Sequence, residues 1–472
     1  MNPLIPVAIL GAAGLLPAAA SAAPMTLQDA ISFALNHSAT VAQQYAAAQS
    51  AEHSLAVARG TAYPTVNGEL QSALGKSANY GGAYAAVGLS QQNVFSQNTA
   101  QIGTSYTLDS GGLSLLQLAS ARASAAQADE TLTNTENQIA ATVTNAFYNV
   151  VQRQAIVVVD QSDLNYQGVL VDAAKAKEHA GMAAGVDVLR AQVNQAKSAS
   201  TLVGAQADVD NAREDLAQTI GAPLDQAFDF PAQIAQPKLP PQTVEALEDI
   251  ALNTRPDVKA ALEGVAAAKY TRKGWDRELF PSVQIGASIG NQFSPTLAVQ
   301  EQEEFDSEYL SCLEFPVPGV PCVHEMAQRG APGFWSIQAT STFTLPLVDY
   351  GQRHTERIND DAQLASAERS LDQARLQAQV DVRQSYRGAQ TALAQLSYAT
   401  DEARLGTESA RIAQLQYQHG LIALTDVIQA QQQSVTAQSD FVTAKVSYVE
   451  AVVKLRVSLG TYTAQSAVAD LE

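Results

Sequence analysis

Two very long stretches without proline constrain the fold of this chain more than any other feature. The first runs from Ser110 to about Ala180, and the second runs from about Gly351 to His419. Because proline interrupts helices, its absence allows each stretch to form one helix, which at about 1.5 Å per residue would be ~100 Å long. Helices in compact domains average about three turns, so two helices of this length predict an elongated helical assembly.

Composition favours paired helices over a thick core and argues against several classes of function. Hydrophobic residues make up 46% of the chain but aromatic residues only 6%, and alanine lets helices approach closely while adding little bulk.

The net charge of -19 argues against nucleic acid as a partner, because phosphate binding needs clustered lysine and arginine. Gly75-Lys76-Ser77 ends like a phosphate-binding loop, but Leu70 occupies the position of that loop's first glycine. We therefore expect no enzyme activity, no cofactor and no metal site.

Residues 1–22 have the pattern of a secretory signal peptide. Met1 to Leu16 is apolar, and Ala20-Ser21-Ala22 offers the small-x-small pattern that signal peptidase cleaves. We predict cleavage after Ala22 or Ala23. The alternative is a transmembrane anchor, which the shortness of the apolar run disfavours. No long apolar run occurs later, so a mature chain that spans a membrane would have to do so with β-strands.

The mature chain contains two copies of one plan. Landmarks of the first copy recur in the same order in the second. The difference in residue number between matched landmarks is larger after the aromatic-proline pair than before it. That growth predicts an insertion in the second copy, in the acidic stretch 291–333. The matched landmarks are Ala34-Leu35-Asn36 with Ala251-Leu252-Asn253, Tyr63-Pro64 with Phe280-Pro281, Gly181 with Gly420, Asp187-Val188 with Asp426-Val427, and Ile220-Gly221 with Leu459-Gly460.

Each copy predicts the same order of elements: a helix, two strands, the long helix and a return helix. Aromatic-proline pairs end the first helices, and glycines cap the return helices. The predicted bounds are 23–221 for the first repeat, 222–242 for a Pro-rich linker, 243–460 for the second repeat, 461–472 for a C-terminal tail, Leu27–Arg59 and Thr243–Glu278 for the first helices, and Val186–Thr219 and Leu424–Ser458 for the return helices.

Four segments alternate apolar and small polar side chains, as strands do between lipid and water. The alternative is a soluble sandwich that buries its apolar face. Four strands cannot enclose a water-filled lumen, since even barrels of about eight strands are filled by their own side chains. Three copies would together supply enough strands, so we predict a homotrimer. The apolar positions are Val66, Leu70, Leu74, Ile102, Tyr106, Leu108, Val283, Ile285, Ile289, Trp335, Ile337, Ala339, Phe343 and Leu345.

Two paired motifs make the sequence resemble the TolC-like outer-membrane efflux channel family, over essentially the whole mature chain. Gly181 to Leu189 and Gly420 to Ile428 each place Asp-Val and an aliphatic residue after a glycine, and an Ala-Gln pair follows at Ala191-Gln192 and Ala430-Gln431. The fold implied by the resemblance is mainly α with transmembrane β. Long antiparallel helical rods form an α-barrel, which continues a trimeric 12-stranded outer-membrane β-barrel with four strands per chain.

The resemblance also implies a function. The chain would be a passive exit duct in the lipid of the outer membrane that extends into the periplasm. It would export small toxic compounds when docked on a periplasmic adaptor protein and an inner-membrane pump. One alternative is the exit duct of a type I protein secretion system, which uses the same fold. An alternative of a different class is a non-conducting periplasmic coiled-coil spacer, which predicts no alternating strands.

Site residues follow from the same resemblance. The predicted periplasmic gate or constriction consists of Asp187, Tyr417 and Asp426. The predicted adaptor-contacting turns consist of Gly181, Met182, Gly420 and Leu421. A three-fold axis would turn each aspartate into a ring that attracts cations. The alternative roles are helix capping for the aspartates and ordinary packing for the tyrosine.

Three further observations concern the gate and a loop. Ile422 stands where a well-studied family member has an arginine, so the resemblance implies a weaker or different gate tie. His179 and His419 flank the two turns, either as pH sensors or as solvated turn residues. Cys312 and Cys322 lie in the inserted loop, where an oxidising compartment predicts a local disulfide. Metal binding with the nearby His324 is the alternative.

Overall fold

The structure is a computed structural model, which describes most of the chain as helices and strands. The predicted signal peptide over 1–22 and most of the predicted tail over 461–472 lie outside the described residues. The chain divides into two compact units, of which the first comprises Met1–Gln49, Ala126–Leu262 and Arg369–Glu472, and the second Ser50–Ala125 and Glu263–Glu368. The described residues are 25–61, 63–79, 91–109, 111–231, 234, 236–277, 280–293, 310–311, 313–315, 334–345 and 351–463.

Two matching series of elements follow one another along the chain. The first series is α1 (Leu27–His37), α2 (Ala39–Gly60), β1 (Thr65–Asn79), β2 (Gln91–Asp109), α3 (Leu113–His179) and α4 (Gly185–Ile220). The second series is α5 (Val244–Thr254), α6 (Pro256–Arg277), β3 (Ser282–Phe293), β4 (Phe334–Thr344), α7 (Gln352–Gln418) and α8 (Leu424–Ser458). Both long helices, α3 and α7, have 67 residues, and their partners match as closely, with 22 residues each in α2 and α6. The predicted duplication and the two uninterrupted helices are confirmed.

A single residue interrupts the first helix of each series, where the sequence predicted one helix over Leu27–Arg59 and one over Thr243–Glu278. Pro256 pushes Arg255 out of the helical region, to φ -61 and ψ 125, so α5 ends there. Ser38 makes the equivalent break at ψ 123, and its hydroxyl accepts the Val41 N–H at 3.4 Å as a cap for α2. The prediction was wrong because helix periodicity continues across both interruptions. None of the described helices is apolar over a long enough stretch to cross a membrane.

The alanine-rich helices of the first unit pack around a few large side chains. Phe147 is buried, and its ring lies 4.8 Å from that of Phe230, measured between centroids. Tyr462, just beyond α8, is also buried and shares a hydrogen bond of 2.7 Å with the Thr144 hydroxyl. Burial raises the pKa of Tyr462 to about 12. These residues join α1, α3, α4 and α8 in one core that also contains Ile31, Val143, Val150, Leu216, Ile220 and Val449.

The four strands of the second unit form one antiparallel sheet in the order β1-β2-β3-β4. Its register aligns the alternating residues: Ile102 is opposite Ile289, which is opposite Ile337. Directly opposed residues project from the same face, so one face is apolar and the other carries small polar side chains. The apolar face is exposed, with Leu70 at 89% and Ile337 at 83% of full exposure. A soluble sandwich would have buried this face, and within the described residues the chain does not.

Candidate functional site

The two helical turns have the same backbone geometry. Gly181 and Gly420 adopt left-handed φ angles of 70 and 75, which glycine allows without steric cost. At the first turn the Gly181 N–H donates to the Glu178 carbonyl and the Met182 N–H to the Lys177 carbonyl, both at 2.8 Å. The second turn repeats both hydrogen bonds, in a Schellman motif that ends α3 and α7 alike.

Beneath the two turns, all four adjoining helices contribute to one apolar cluster, which we call the turn cluster. It connects the α3–α4 hairpin with the α7–α8 hairpin. Met182 and Leu421 remain exposed at the turns themselves, at 71% and 73%. Ile422, where the resemblance places an arginine, packs against the cluster. The buried members are Leu170, Val171, Ala174, Val188, Ala191, Ala413, Tyr417, Leu424, Val427 and Ile428.

Tyr417 is the largest side chain of the turn cluster and is only 5% exposed. Its hydroxyl has no hydrogen-bond partner within the part of the chain that the structure describes. Burial raises the pKa of Tyr417, and the negative charge of Asp187 raises it further. Two of the predicted gate residues, Asp187 and Tyr417, thus lie close enough within one chain for the charge of the first to act on the second, across the boundary between the two hairpins.

Asp187 and Asp426 occupy equivalent positions in the first turns of α4 and α8 but have different partners. The Asp187 carboxylate lies 3.6 Å from the Arg190 guanidinium and is partly buried. The exposed Asp426 carboxylate accepts the Ala423 N–H at 3.3 Å, which is the geometry of a helix cap. Among the described contacts, no hydrogen bond or ion pair joins Asp426 to Asp187 or Tyr417.

Lys177, which sequence reasoning did not single out, lies between the hairpins. Its ammonium group donates to the Tyr417 backbone carbonyl and lies 3.9 Å from the centroid of the tyrosine ring. A lysine in the last turn of a helix is a recognisable pattern, but it predicts only an interaction with that helix's own end. The contact with α7 depends on tertiary packing.

Asp163, earlier in α3, is at a second junction that the sequence did not reveal. Its Oδ2 accepts from the Ser198 hydroxyl of α4 at 2.5 Å, and its Oδ1 accepts from the Gln431 amide of α8 at 3.0 Å. Gln167 of the same helix donates to Oδ1 at 3.3 Å. Burial, and next the charge of Asp163, raise the pKa of the neighbouring Asp160 carboxyl. One carboxylate thus ties three helices, several helical turns away from the paired turns.

The other features of the sequence are the turn histidines, the loop cysteines and a Gly-x-Ser-x-Gly motif in a strand. His179 and His419 are exposed at the turns. Cys312 and Cys322 lie outside the described residues, so their predicted disulfide remains a prediction. Gly286-Ala287-Ser288-Ile289-Gly290 has the spacing of a nucleophile motif but lies wholly within β3, without the strand-to-helix turn that such a motif requires. Among the described residues, no group of three or more His, Cys, Asp or Glu side chains could hold a metal ion.

Known proteins share the sequence pattern and the fold of this chain. The family model described as outer membrane efflux protein matches residues 30–222 and 247–461, one match for each repeat. The outer membrane protein VceC of Vibrio cholerae is 18% identical, with a TM-score of 0.68 over 92% of this chain and 96% of its own. The CmeC outer membrane channel of Campylobacter jejuni is 14% identical, with a TM-score of 0.70 over 98% and 95%. The MtrE outer membrane channel of Neisseria gonorrhoeae is 18% identical, with a TM-score of 0.66 over 93% and 89%. No curated protein matches the chain.

Proposed function

We propose, from the premise that this chain belongs to the outer membrane efflux protein family, that it is the passive exit duct of a tripartite pump. Membership of the family locates the chain in the outer membrane, with an extension into the periplasm, and identifies it as a channel rather than an enzyme. The fold class predicted from the sequence is likewise confirmed. In our proposal the working unit is a homotrimer, docked on a periplasmic adaptor and an inner-membrane transporter.

The observation that carries this proposal is the exposed apolar face of the four-stranded sheet. Its outer strands, β1 and β4, each pair with only one neighbour in the described sheet. Unpaired strand edges and exposed apolar side chains are both costly in water, and both are resolved if neighbouring subunits complete a closed wall in lipid. Three subunits give the number of strands that leaves a water-filled lumen. The polar face, with its serines, threonines and glutamines, would then line the lumen.

The paired turns, at the C-terminal ends of α3 and α7, support a gated entrance. Met182 and Leu421 are exposed apolar side chains on turns of matching geometry, and an adaptor would cover them. Asp187, Tyr417 and Asp426 would form the gate. On a three-fold axis each aspartate becomes a ring that concentrates cations. The capping contact of Asp426 is compatible with this role, because one carboxylate oxygen remains available.

Conductance measurements on the purified mature chain in planar bilayers test this proposal. We expect a small conductance, because the gate is closed, and block by multivalent cations on the side of the turns. Replacement of both Asp187 and Asp426 with alanine removes the rings and should raise the conductance and weaken the block. The matched control is Glu402→Ala, which removes an exposed carboxylate of α7 away from the turn.

Two results would contradict parts of the proposal. The absence of conductance in the wild type and in the double variant would favour a non-conducting spacer. Unchanged cation block in a conducting double variant would remove the aspartate rings but leave the duct. Cargo is tested separately, by deletion of the gene and a profile of sensitivity to toxic compounds. Unchanged sensitivity with loss of a secreted polypeptide would favour the exit duct of a protein secretion system.

A further inference from the structure

We infer that Lys177 is a positioning residue that holds the α3–α4 hairpin against the α7–α8 hairpin and so stabilises the closed entrance. This inference rests on the proposed channel function. It concerns a residue outside the predicted gate, in the last turn of α3. Within the described residues, its side chain joins the C-terminal end of one long helix to that of the other.

Lys177 makes two contacts with one residue of the opposite hairpin. Its ammonium group donates a hydrogen bond to the Tyr417 carbonyl, in the last turn of α7. The same group lies 3.9 Å from the centroid of the Tyr417 ring. By contrast, the side chain of Lys175, on the same turn of α3, is exposed. The two contacts therefore depend on the position of Lys177 and not on a general attraction of α3 lysines to the neighbouring hairpin.

The end of α7 is a favourable place for a cation. The last carbonyls of a helix lack partners within the helix, and the helix dipole makes this end negative. The Tyr417 carbonyl receives the Gly420 N–H at 3.0 Å, which leaves its second lone pair for the ammonium group. The face of an aromatic ring adds a cation–π attraction, which strengthens as water is excluded. Tyr417 is buried in the turn cluster, so these conditions are met together.

The charge of Asp187 also acts on Tyr417, whose pKa is raised first by burial and then by this charge. Asp187 belongs to the first turn of α4 and is close enough for its charge to act on the tyrosine. Tyr417 of α7 is thus in contact with a cation from the end of α3 and within the electrostatic range of an anion from the start of α4. If the hairpins separate, Lys177 loses both of its contacts with Tyr417 and returns to water. A contact that water can replace gives a reversible closure.

The internal repeat shows that this contact exists at only one of the two related hairpin junctions. The same difference in residue number separates Gly181 from Gly420, Lys177 from Gln416, and Glu178 from Tyr417, so these residues occupy equivalent positions in the two repeats. The related junction therefore has neither a cation nor an aromatic ring at these positions. Each subunit contributes one such tie, and the two hairpins of a subunit are not equivalent in how firmly they are held.

Planar-bilayer recordings of three single variants test the inference. Lys177→Met keeps the length and apolar character of the side chain but removes the charge. We expect its open probability to rise about tenfold, which corresponds to about 1.4 kcal/mol for the three ties of the trimer together. Lys177→Arg keeps the cation and should behave as the wild type. Lys175→Met is the matched control and should also leave the channel closed. Thermal melting of the trimer shows whether K177M is assembled, and K177Q replaces it if it is not.

The outcomes separate this inference from the proposed function. Raised open probability in K177M, with closure restored in K177R, supports the role of Lys177. If K177M stays as closed as the wild type while the double aspartate variant opens, Lys177 is not a closing residue and the duct stands. If K177R opens as much as K177M, the charge is not the cause and the inference is overturned. If no variant conducts, the proposed function itself fails.

Discussion

Single polar residues, buried or half-buried among alanine-rich helices, determine how those helices meet. Tyr462, Asp163 and Lys177 each reach from one helix or segment to another, and each makes a hydrogen bond with a buried or part-buried polar group there. Such groups are costly when unpaired, because they have lost their hydrogen bonds to water. In a core with few large side chains, these contacts select one arrangement of the helices among several with similar apolar packing.

Tyr462 predicts a loss of stability in alkali. Its pKa of about 12 in the folded chain lies above the ordinary tyrosine value of 10.0, so the unfolded chain loses the proton first. Its contribution is complete below pH ~10 and is lost as pH rises to about 12, by roughly 3 kcal/mol in total. Tyr462→Phe lacks this proton, so its unfolding free energy should fall less steeply over this pH range than that of the wild type. Denaturation curves from pH 8 to 12 measure this, and an equal slope in both proteins would contradict it.

The hydrogen bonds of Asp163 should make it important for stability, whereas an exposed carboxylate of the same helix should not be. Asp163→Ala leaves donors of Ser198, Gln167 and Gln431 without their acceptor, and should lower the free energy of unfolding by about 1–3 kcal/mol. Asp172, an exposed carboxylate of the same helix, is the matched control, and D172A should change stability little. Chemical denaturation of both variants makes the comparison. Equal stability in D163A and D172A would show that the network is not stabilising.

At the scale of elements, the two halves reuse one backbone plan with different packing. Gly221 and Gly460 occupy equivalent positions after α4 and α8, both with left-handed φ angles. A Cβ atom at Gly460 would lie 2.7 Å from the Arg255 Cα, at the break between α5 and α6. A Cβ atom at Gly221 would meet only the His37 Cβ, at an ordinary 3.9 Å. The end of the return helix α8 in the second half therefore packs more closely against its neighbouring backbone than the end of α4 does in the first half.

This difference predicts unequal effects of one substitution. Gly221→Ala should cost about 1–2 kcal/mol, the price of a left-handed conformation. Gly460→Ala adds a backbone clash and should cost a further ~1–3 kcal/mol. Thermal melting of the two variants measures the difference. Equal melting temperatures would mean that the backbone around Arg255 can move away, and that the close approach is not required.

At the scale of the whole molecule, the two faces of the sheet must meet different surroundings. Ile337 and Gln338 are neighbours in β4 that project to opposite faces. Ile337→Arg places a charge on the apolar face and should cost about 2–4 kcal/mol in lipid, whereas Gln338→Arg places it in the lumen of the proposed trimer at little cost. Trimer yield in the outer-membrane fraction measures both. Equal yields would contradict the assignment of lipid to the apolar face.

Local rules of the chain already determined the long helices, the repeat and the alternating strands. Missing prolines allow long helices, glycines end them, and alternation needs only neighbouring residues, so each signal can be read from the sequence. The breaks at Ser38 and Arg255 were also local, but a single capping hydroxyl or proline is a weak signal within a continuing helical period. The paired turns and their predicted gate residues followed from a motif, not from physical derivation.

Only the tertiary structure decided which distant side chains meet. The sequence separates Lys177 from Tyr417, Asp163 from Gln431, and Gly460 from Arg255 by whole helices. On a long helix a polar residue can face any of several neighbours, and its identity does not say which one. The order in which the helices pack fixes that choice, because burial of the alanine-rich faces brings particular turns into contact. The sequence therefore determined the parts and their lengths, and tertiary packing determined the contacts between the hairpins.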